Sequence, residues 1–210
     1  MGQASHGESL MECRYEIRLS GSGGQGIILM AIILAEAIGV YDGKFVAQTQ
    51  SYGPEARGGS SRADVIVSDE EIDYPKAMGL DLLVAMNQKS CDEYYDELKP
   101  GGIFIVDSTF VQQVHVPQAF SMPFTRIARE DLKHEMLANI VALGALAELT
   151  AVVSPAAIEA AVLARVPKGT EAINRSALQA GGQIAREAIK AREQLSVLPE
   201  ISEAELREDY

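Results

Sequence analysis

The residues of this chain with the clearest chemical potential form a glycine-rich run over residues 20–26. An alternating segment over residues 15–19 precedes the run and predicts a strand, and an apolar segment over residues 27–38 follows it and predicts a helix. Such a turn directs unpaired backbone N–H groups and the positive end of a helix dipole at one point. We therefore expect a site suited to phosphate, formed by Gly21, Ser22, Gly23, Gly24, Gln25 and Gly26.

Three of these glycines, Gly21, Gly23 and Gly26, have the spacing G-x-G-x-x-G of dinucleotide-binding folds. Those folds place an acidic residue at the end of the second strand, about 20 residues further on. Here the second predicted strand, residues 44–50, ends in amides, and Asp42 precedes it. The pattern therefore argues against NAD. A purely structural role stays open, in which the glycines only allow a tight turn and close packing of helix against strand.

A second glycine-rich segment, residues 51–60, follows the second predicted strand. Because the carboxyl ends of parallel strands meet at one edge of a sheet, we expect both glycine-rich loops to face one crevice. Arg57 precedes Gly58 and Gly59, whose small size would let a planar guanidinium reach a phosphate or a carboxylate. The alternative is an ion pair of Arg57 with Glu55 or with a neighbouring strand.

Strands and helices alternate along most of the chain. Further strands are predicted at residues 63–67, 81–86 and 103–106, and helices at 89–98, from Arg129 onward, from Ser154-Pro155 onward, and at 170–192 with an interruption at Gly181-Gly182. The order is typical of an α/β, Rossmann-like three-layer sandwich with a mostly parallel sheet and a helical C-terminal part. We expect a flexible N-terminus over residues 1–14, one domain over 15–195, and an acidic tail over 196–210.

Composition excludes several classes of function. The formal net charge of −12 at pH 7 disfavours nucleic acid as a partner, because like charges repel. Cys13 and Cys91 are far apart, so neither a disulfide framework nor a metal centre is predicted. The three histidines show no spacing that would assign a catalytic role. The longest apolar run is too short for a membrane span and no secretion pattern is visible, so we expect a cytoplasmic protein without membrane contact.

Four segments of the chain recur, in the same order and spacing, in one known family. They are Gly21-Ser22-Gly23-Gly24-Gln25-Gly26, Tyr52-Gly53-Pro54-Glu55-Ala56-Arg57-Gly58-Gly59, Asp81-Leu82-Leu83-Val84-Ala85-Met86-Asn87-Gln88 and Leu98-Lys99-Pro100-Gly101-Gly102. In these segments the chain resembles the gamma subunit of the 2-oxoacid:ferredoxin oxidoreductases, over residues 15–190. The second segment is far more specific than G-x-G-x-x-G alone.

The resemblance implies one subunit of a complex that decarboxylates a 2-oxoacid on thiamine diphosphate, reduces ferredoxin through iron–sulfur clusters, and passes the acyl group to coenzyme A. The implied partners are alpha, beta and delta subunits, with ferredoxin reached through the complex. Thiamine diphosphate, magnesium and the clusters are expected in those partners. This chain lacks the Gly-Asp-Gly to Asn-Asn pattern for thiamine diphosphate, and two cysteines cannot ligate a cubane cluster. The chain alone should therefore be inactive.

Within such a complex, coenzyme A is the ligand that the two glycine-rich loops would suit. Its expected contacts are residues 21–26 together with Tyr52, Arg57, Gly58 and Gly59, although Tyr52 is as readily a packing lid. The alanine-rich segment 138–144 looks most like the 2-oxoglutarate branch of the family, with pyruvate, branched-chain oxoacids and indolepyruvate left open. Two other functions also stay open: a purely structural subunit of the same complex, and a freestanding dinucleotide-binding oxidoreductase.

Overall fold

The computed structural model describes residues 14–52 and 60–197, and for Tyr52 and residues 195–197 it describes the backbone only. Arg57, Gly58 and Gly59, almost all of the predicted N-terminal segment 1–14, and most of the acidic tail 196–210 therefore lie outside the described residues. The proposed division of the chain at residues 15 and 195 stays a prediction.

Six strands form one sheet in the order β2-β3-β1-β4-β5-β6. Their bounds are Tyr15–Ser22 (β1), Phe45–Tyr52 (β2), Ser60–Ser68 (β3), Leu80–Ala85 (β4), Leu98–Asp107 (β5) and Phe120–Met122 (β6). The pairs β1–β4, β4–β5 and β5–β6 are parallel. Strand β3 runs antiparallel to both of its neighbours, β1 and β2. Every strand except β3 therefore points in the same direction.

The helices lie between and after the strands. Their bounds are Ile27–Glu36 (α1), Gln88–Tyr94 (α2), Phe124–Glu130 (α3), Ala138–Leu149 (α4), Pro155–Arg165 (α5) and Glu171–Val197 (α6). A π-helical turn, Ala37–Tyr41, extends α1, and short 3₁₀ turns lie at Tyr95–Glu97 and Glu135–Leu137. Ser154 begins α5 as predicted: its Oγ accepts a hydrogen bond from the Ala157 N–H at 3.1 Å, and Pro155 takes the first helical position.

The sheet separates two apolar cores. The larger core joins one face of the sheet to α1, α4 and α5 and to part of α6, with Leu19, Ile33 and Leu143 fully buried. The smaller core joins the opposite face of β4 and β5 to α2, with Leu83 and Phe104 at its centre. Helices thus cover both faces, and the predicted three-layer α/β fold with a mostly parallel sheet is confirmed.

Three details of the predicted elements are wrong. No helix continues from Arg129, because residues 131–134 leave the helical conformation and Lys133 has a φ of 58°; α3 ends before them and α4 begins only at Ala138. The predicted helix 89–98 ends early, and Leu98 already belongs to β5. The pair Gly181-Gly182 does not interrupt α6, which is continuous over 27 residues.

Candidate functional site

The two glycine-rich loops begin at the same edge of the sheet. Ser22, the last residue of β1, pairs with Ser60 of β3, and Tyr52, the last residue of β2, pairs with Ser61. Because β3 runs back from that edge, the ends of β1 and β2 lie on either side of its first residues. For the described residues on either side of 53–59, both glycine-rich loops therefore start at the same edge of the sheet, as expected.

The turn after β1 exposes backbone donors. Gly24 and Gly26 have φ angles of 96° and 74°, in the left-handed region that favours glycine. Among the described residues, the N–H groups of Gly23, Gly24 and Gly26 have no hydrogen-bond acceptor, and Gly23 and Gly24 are exposed. Helix α1 starts directly after them, so its positive end faces the same space. The turn can therefore bind an anion through its backbone.

Gln25 supports this turn from inside. Its backbone N–H donates to the Ser22 carbonyl at 3.1 Å, so that donor is already engaged. Its side-chain Oε1 accepts from the Ser22 N–H at 2.6 Å, and its Nε2 donates to the Met86 carbonyl at 2.9 Å. These bonds tie the end of β1 to the end of β4. Gly21 is buried beneath, where an added Cβ would lie 2.6 Å from Gln25 Oε1. Both residues thus hold the turn in place.

Asn87 and Thr125 also lie at this turn, although the sequence pattern did not predict them as site residues. Asn87 caps α2 by accepting from the Ser90 N–H at 2.8 Å, and its Nδ2 donates to Ser22 Oγ at 2.6 Å. Thr125 is held by the buried Asp107, whose Oδ2 accepts from its N–H at 3.1 Å and from its Oγ1. An asparagine directly after a predicted strand was the available signal for Asn87. Asp107 acts as a support rather than a ligand.

These residues enclose a cleft of about 560 Å³, which we call the glycine cleft. It is lined by Ser22, Gly23, Gly24, Gln25, Asn87, Phe110, Thr125, Glu135, Met136 and Ala138. The carboxylate of Glu135 would repel an anion, but Arg129 Nε donates to it at 2.9 Å. That hydrogen bond holds the pKa of Glu135 below its ordinary value. The carboxylate is therefore charged and already paired with a cation.

The described part of the chain offers binding groups rather than a reaction centre. Among these residues, no group of three or more His, Cys, Asp or Glu could hold a metal ion. Cys91 is fully buried, and burial raises the pKa of its thiol. No helix within the described ranges is both long and apolar enough to cross a membrane. The two hydroxyl groups that line the glycine cleft are engaged: Ser22 Oγ accepts from Asn87, and Thr125 Oγ1 donates to Asp107.

Comparison with known proteins gives the chain a family. Residues 16–184 match the model of the pyruvate ferredoxin/flavodoxin oxidoreductase family. The chain is 49% identical over 181 residues to 2-oxoglutarate synthase subunit KorC of Methanocaldococcus jannaschii, an alignment that covers 84% of this chain and 97% of that one.

Two solved structures share the fold at high similarity. The gamma subunit of a keto/oxoacid ferredoxin oxidoreductase from Geobacter sulfurreducens superposes with a TM-score of 0.74 at 47% identity, covering 82% of this chain and 99% of that one. The 2-oxoglutarate:ferredoxin oxidoreductase of Magnetococcus marinus, solved with 2-oxoglutarate, coenzyme A and succinyl-CoA bound, superposes with a TM-score of 0.73 at 25% identity, covering 83% of this chain and 31% of that one. The chain is thus a member of the pyruvate ferredoxin/flavodoxin oxidoreductase family and, within it, a gamma subunit of the 2-oxoacid:ferredoxin oxidoreductases.

Proposed function

We propose that this gamma subunit faces coenzyme A in a cytoplasmic complex that converts 2-oxoglutarate, coenzyme A and oxidised ferredoxin into succinyl-CoA, carbon dioxide and reduced ferredoxin. The choice of 2-oxoglutarate is supported by the 49% identity to a 2-oxoglutarate synthase subunit. Thiamine diphosphate, magnesium and iron–sulfur clusters belong to the partner alpha, beta and delta subunits in this proposal. The present chain supplies binding groups and contacts for assembly.

The observation that carries the proposal is the set of unengaged N–H groups of Gly23, Gly24 and Gly26 at the start of α1. Coenzyme A carries ionised phosphates, which backbone donors at a helix N-terminus bind well. Ser22 and Asn87 add polar side chains at the same rim. Tyr52, Arg57, Gly58 and Gly59 would approach from the second loop, and their contacts with the ligand stay a prediction.

Gly24→Ala tests this role. An added Cβ at Gly24 meets no atom within 4 Å, so it fills only the space proposed for the ligand. The left-handed backbone should cost about 1–2 kcal/mol of stability. We expect the complex to assemble and to reduce viologen slowly with 2-oxoglutarate, while its acceleration by coenzyme A is lost.

Gly43→Ala is the matched control. Gly43 has a φ of 73°, and its Cβ would likewise meet no atom within 4 Å, but it lies at the start of β2 rather than in the glycine cleft. Its strain should match that of Gly24→Ala without affecting coenzyme A. If the two variants respond to coenzyme A alike, the binding role is refuted. If Gly24→Ala alone fails to assemble, the turn is a structural element of the complex.

A further inference from the structure

A second cavity, of about 660 Å³, is lined by Gly26, the residue that follows the part of the turn lining the glycine cleft. We call it the Asn139 cavity. Its walls come from α1, the segment 134–140 and the stretch from Arg165 into the first turn of α6, and they include Leu29, Ile33, Ile140 and Ile173. Met136 lines both the cavity and the cleft and is 77% exposed. The exposed Met136 side chain therefore borders both spaces.

Asn139, in the wall of the cavity, carries a buried acceptor that lacks a donor. Asn139 is only 3% exposed, and its Oδ1 has no hydrogen-bond partner among the described residues. Its Nδ2 faces the Gly26 carbonyl at 3.4 Å, so a reversed amide would bring two oxygens together. A buried acceptor without a partner lowers stability, and a ligand donor would recover that loss.

A second asparagine points to the same ligand chemistry. Asn174, also 3% exposed, donates from Nδ2 to the Thr170 carbonyl at 2.9 Å, and its Oδ1 accepts from no described residue. The charged Arg165 at the rim is already paired with Glu36. The cavity therefore offers apolar walls and amide acceptors, with Arg165 engaged. This combination suits an uncharged chain that carries N–H groups better than a further phosphate.

We propose that the Asn139 cavity binds the pantetheine arm of coenzyme A, with the Asn139 side chain turning toward the arm so that its Oδ1 accepts a hydrogen bond from an amide N–H. This inference rests on the proposed function, in which the phosphates lie at the glycine cleft. Gly26 links the two parts of the proposal: its unengaged N–H lies at the start of α1 next to the cleft, and its carbonyl lies 3.4 Å from Asn139 Nδ2. The arm leaves the cleft past Met136, and its methyl groups pack against Leu29 and Ile173.

The test measures succinyl-CoA formation by the purified complex with two probes: coenzyme A as substrate, and pantetheine, which keeps the thiol but lacks the nucleotide phosphates, as its competitor. Asn139→Ala should raise both the KM for coenzyme A and the inhibition constant of pantetheine about three- to tenfold, the effect of one lost hydrogen bond. The kcat at saturating coenzyme A should stay unchanged. Ile173→Phe, which fills the cavity from the opposite wall, should weaken both ligands with Asn139 still in place.

Val141→Ala is the control, because Val141 is fully buried in the same helix but lines neither space. It should lower stability and leave both constants unchanged. Gly24→Ala separates this inference from the proposed function, since it should weaken coenzyme A and spare pantetheine. Three results would each overturn the cavity assignment, even where Gly24→Ala confirms the cleft. They are unchanged constants in Asn139→Ala, loss of assembly in that variant, and no inhibition of the parent complex by pantetheine.

Discussion

Two adjacent glycines of α6 should respond in opposite ways to the same substitution. A Cβ added at Gly181 would lie 1.9 Å from the Val141 carbonyl oxygen and 2.9 Å from the Ala145 nitrogen, both backbone atoms of α4. A Cβ added at Gly182 would lie 3.4 Å from Arg186 and 3.6 Å from Glu148, at the ends of flexible side chains. Gly181 therefore sets how closely the two helices approach, whereas Gly182 does not.

The size of the difference follows from these distances. A carbon atom normally stays about 3.3 Å from a carbonyl oxygen, so Gly181→Ala forces the helices apart by about 1.4 Å. Overpacking of this kind costs about 1–3 kcal/mol, occasionally more. Gly182→Ala should instead gain up to about 1 kcal/mol, because alanine favours the helix. A separation of about 3 kcal/mol between the variants corresponds to about 6–12 °C in Tm for a chain of this size.

Thermal and urea unfolding of the purified chain, followed by circular dichroism, would measure this separation. Gly181→Ala should unfold at lower temperature and lower urea concentration than the parent, and Gly182→Ala at the same or higher values. Equal midpoints for the two variants, or a Gly181→Ala chain as stable as the parent, would show that the backbone contact does not limit the approach of α4 and α6.

Three further changes test other parts of the structure. Burial alone would raise the pKa of Glu16, but the hydrogen bonds that its carboxylate accepts lower it. The ionised Glu16 therefore stabilises the fold above pH 4.5, and this contribution is lost as the pH falls through the lowered pKa of the folded state. Glu16→Gln should accordingly make the free energy of unfolding fall less steeply toward acid pH. Ser154→Ala should cost about 1–2 kcal/mol in urea unfolding, because it removes the cap of α5 and the hydrogen bond to Asp42 at 2.8 Å. Gln25→Glu keeps the acceptor for Ser22 but loses the donor to Met86 and adds a negative charge beside the cleft, so the KM for coenzyme A should rise at least tenfold.

The local parts of the site could be predicted from the sequence because they depend on neighbouring residues. Alternation over residues 15–19, the glycine run and the apolar segment after it indicated a strand, a turn and a helix in order. Ser154-Pro155 indicated a helix start for the same reason. The direction of β3 could not be predicted in this way. The predicted strands leave residues 51–62 between them, about the dozen that a parallel crossover needs, and only the observed bounds shorten the connection to residues 53–59.

The remaining features depend on contacts between distant residues. Asn139 meets Gly26 across 113 positions of sequence, and no periodicity predicts that pairing. Strand β6 has three residues, too few for an alternation pattern to show. The hydrogen bond from the Gln25 N–H to the Ser22 carbonyl depends on the geometry of the turn, which the spacing of the glycines alone does not define.

Helix α6 connects the Asn139 cavity to the edge strand β6. Its 27 residues span about 40 Å, and Gly181, where it packs closely on the α4 backbone, lies near the middle. About 11 Å to one side, Ile173 and Asn174 border the Asn139 cavity; about 16 Å to the other, the Arg192 guanidinium lies over the Phe120 ring of β6. A 5° rotation of α6 about Gly181 would move Ile173 by about 1.0 Å and Arg192 by about 1.4 Å in opposite directions. A tilt of α6 as a rigid rod would therefore move the wall of the cavity and the contact with the edge strand β6 together.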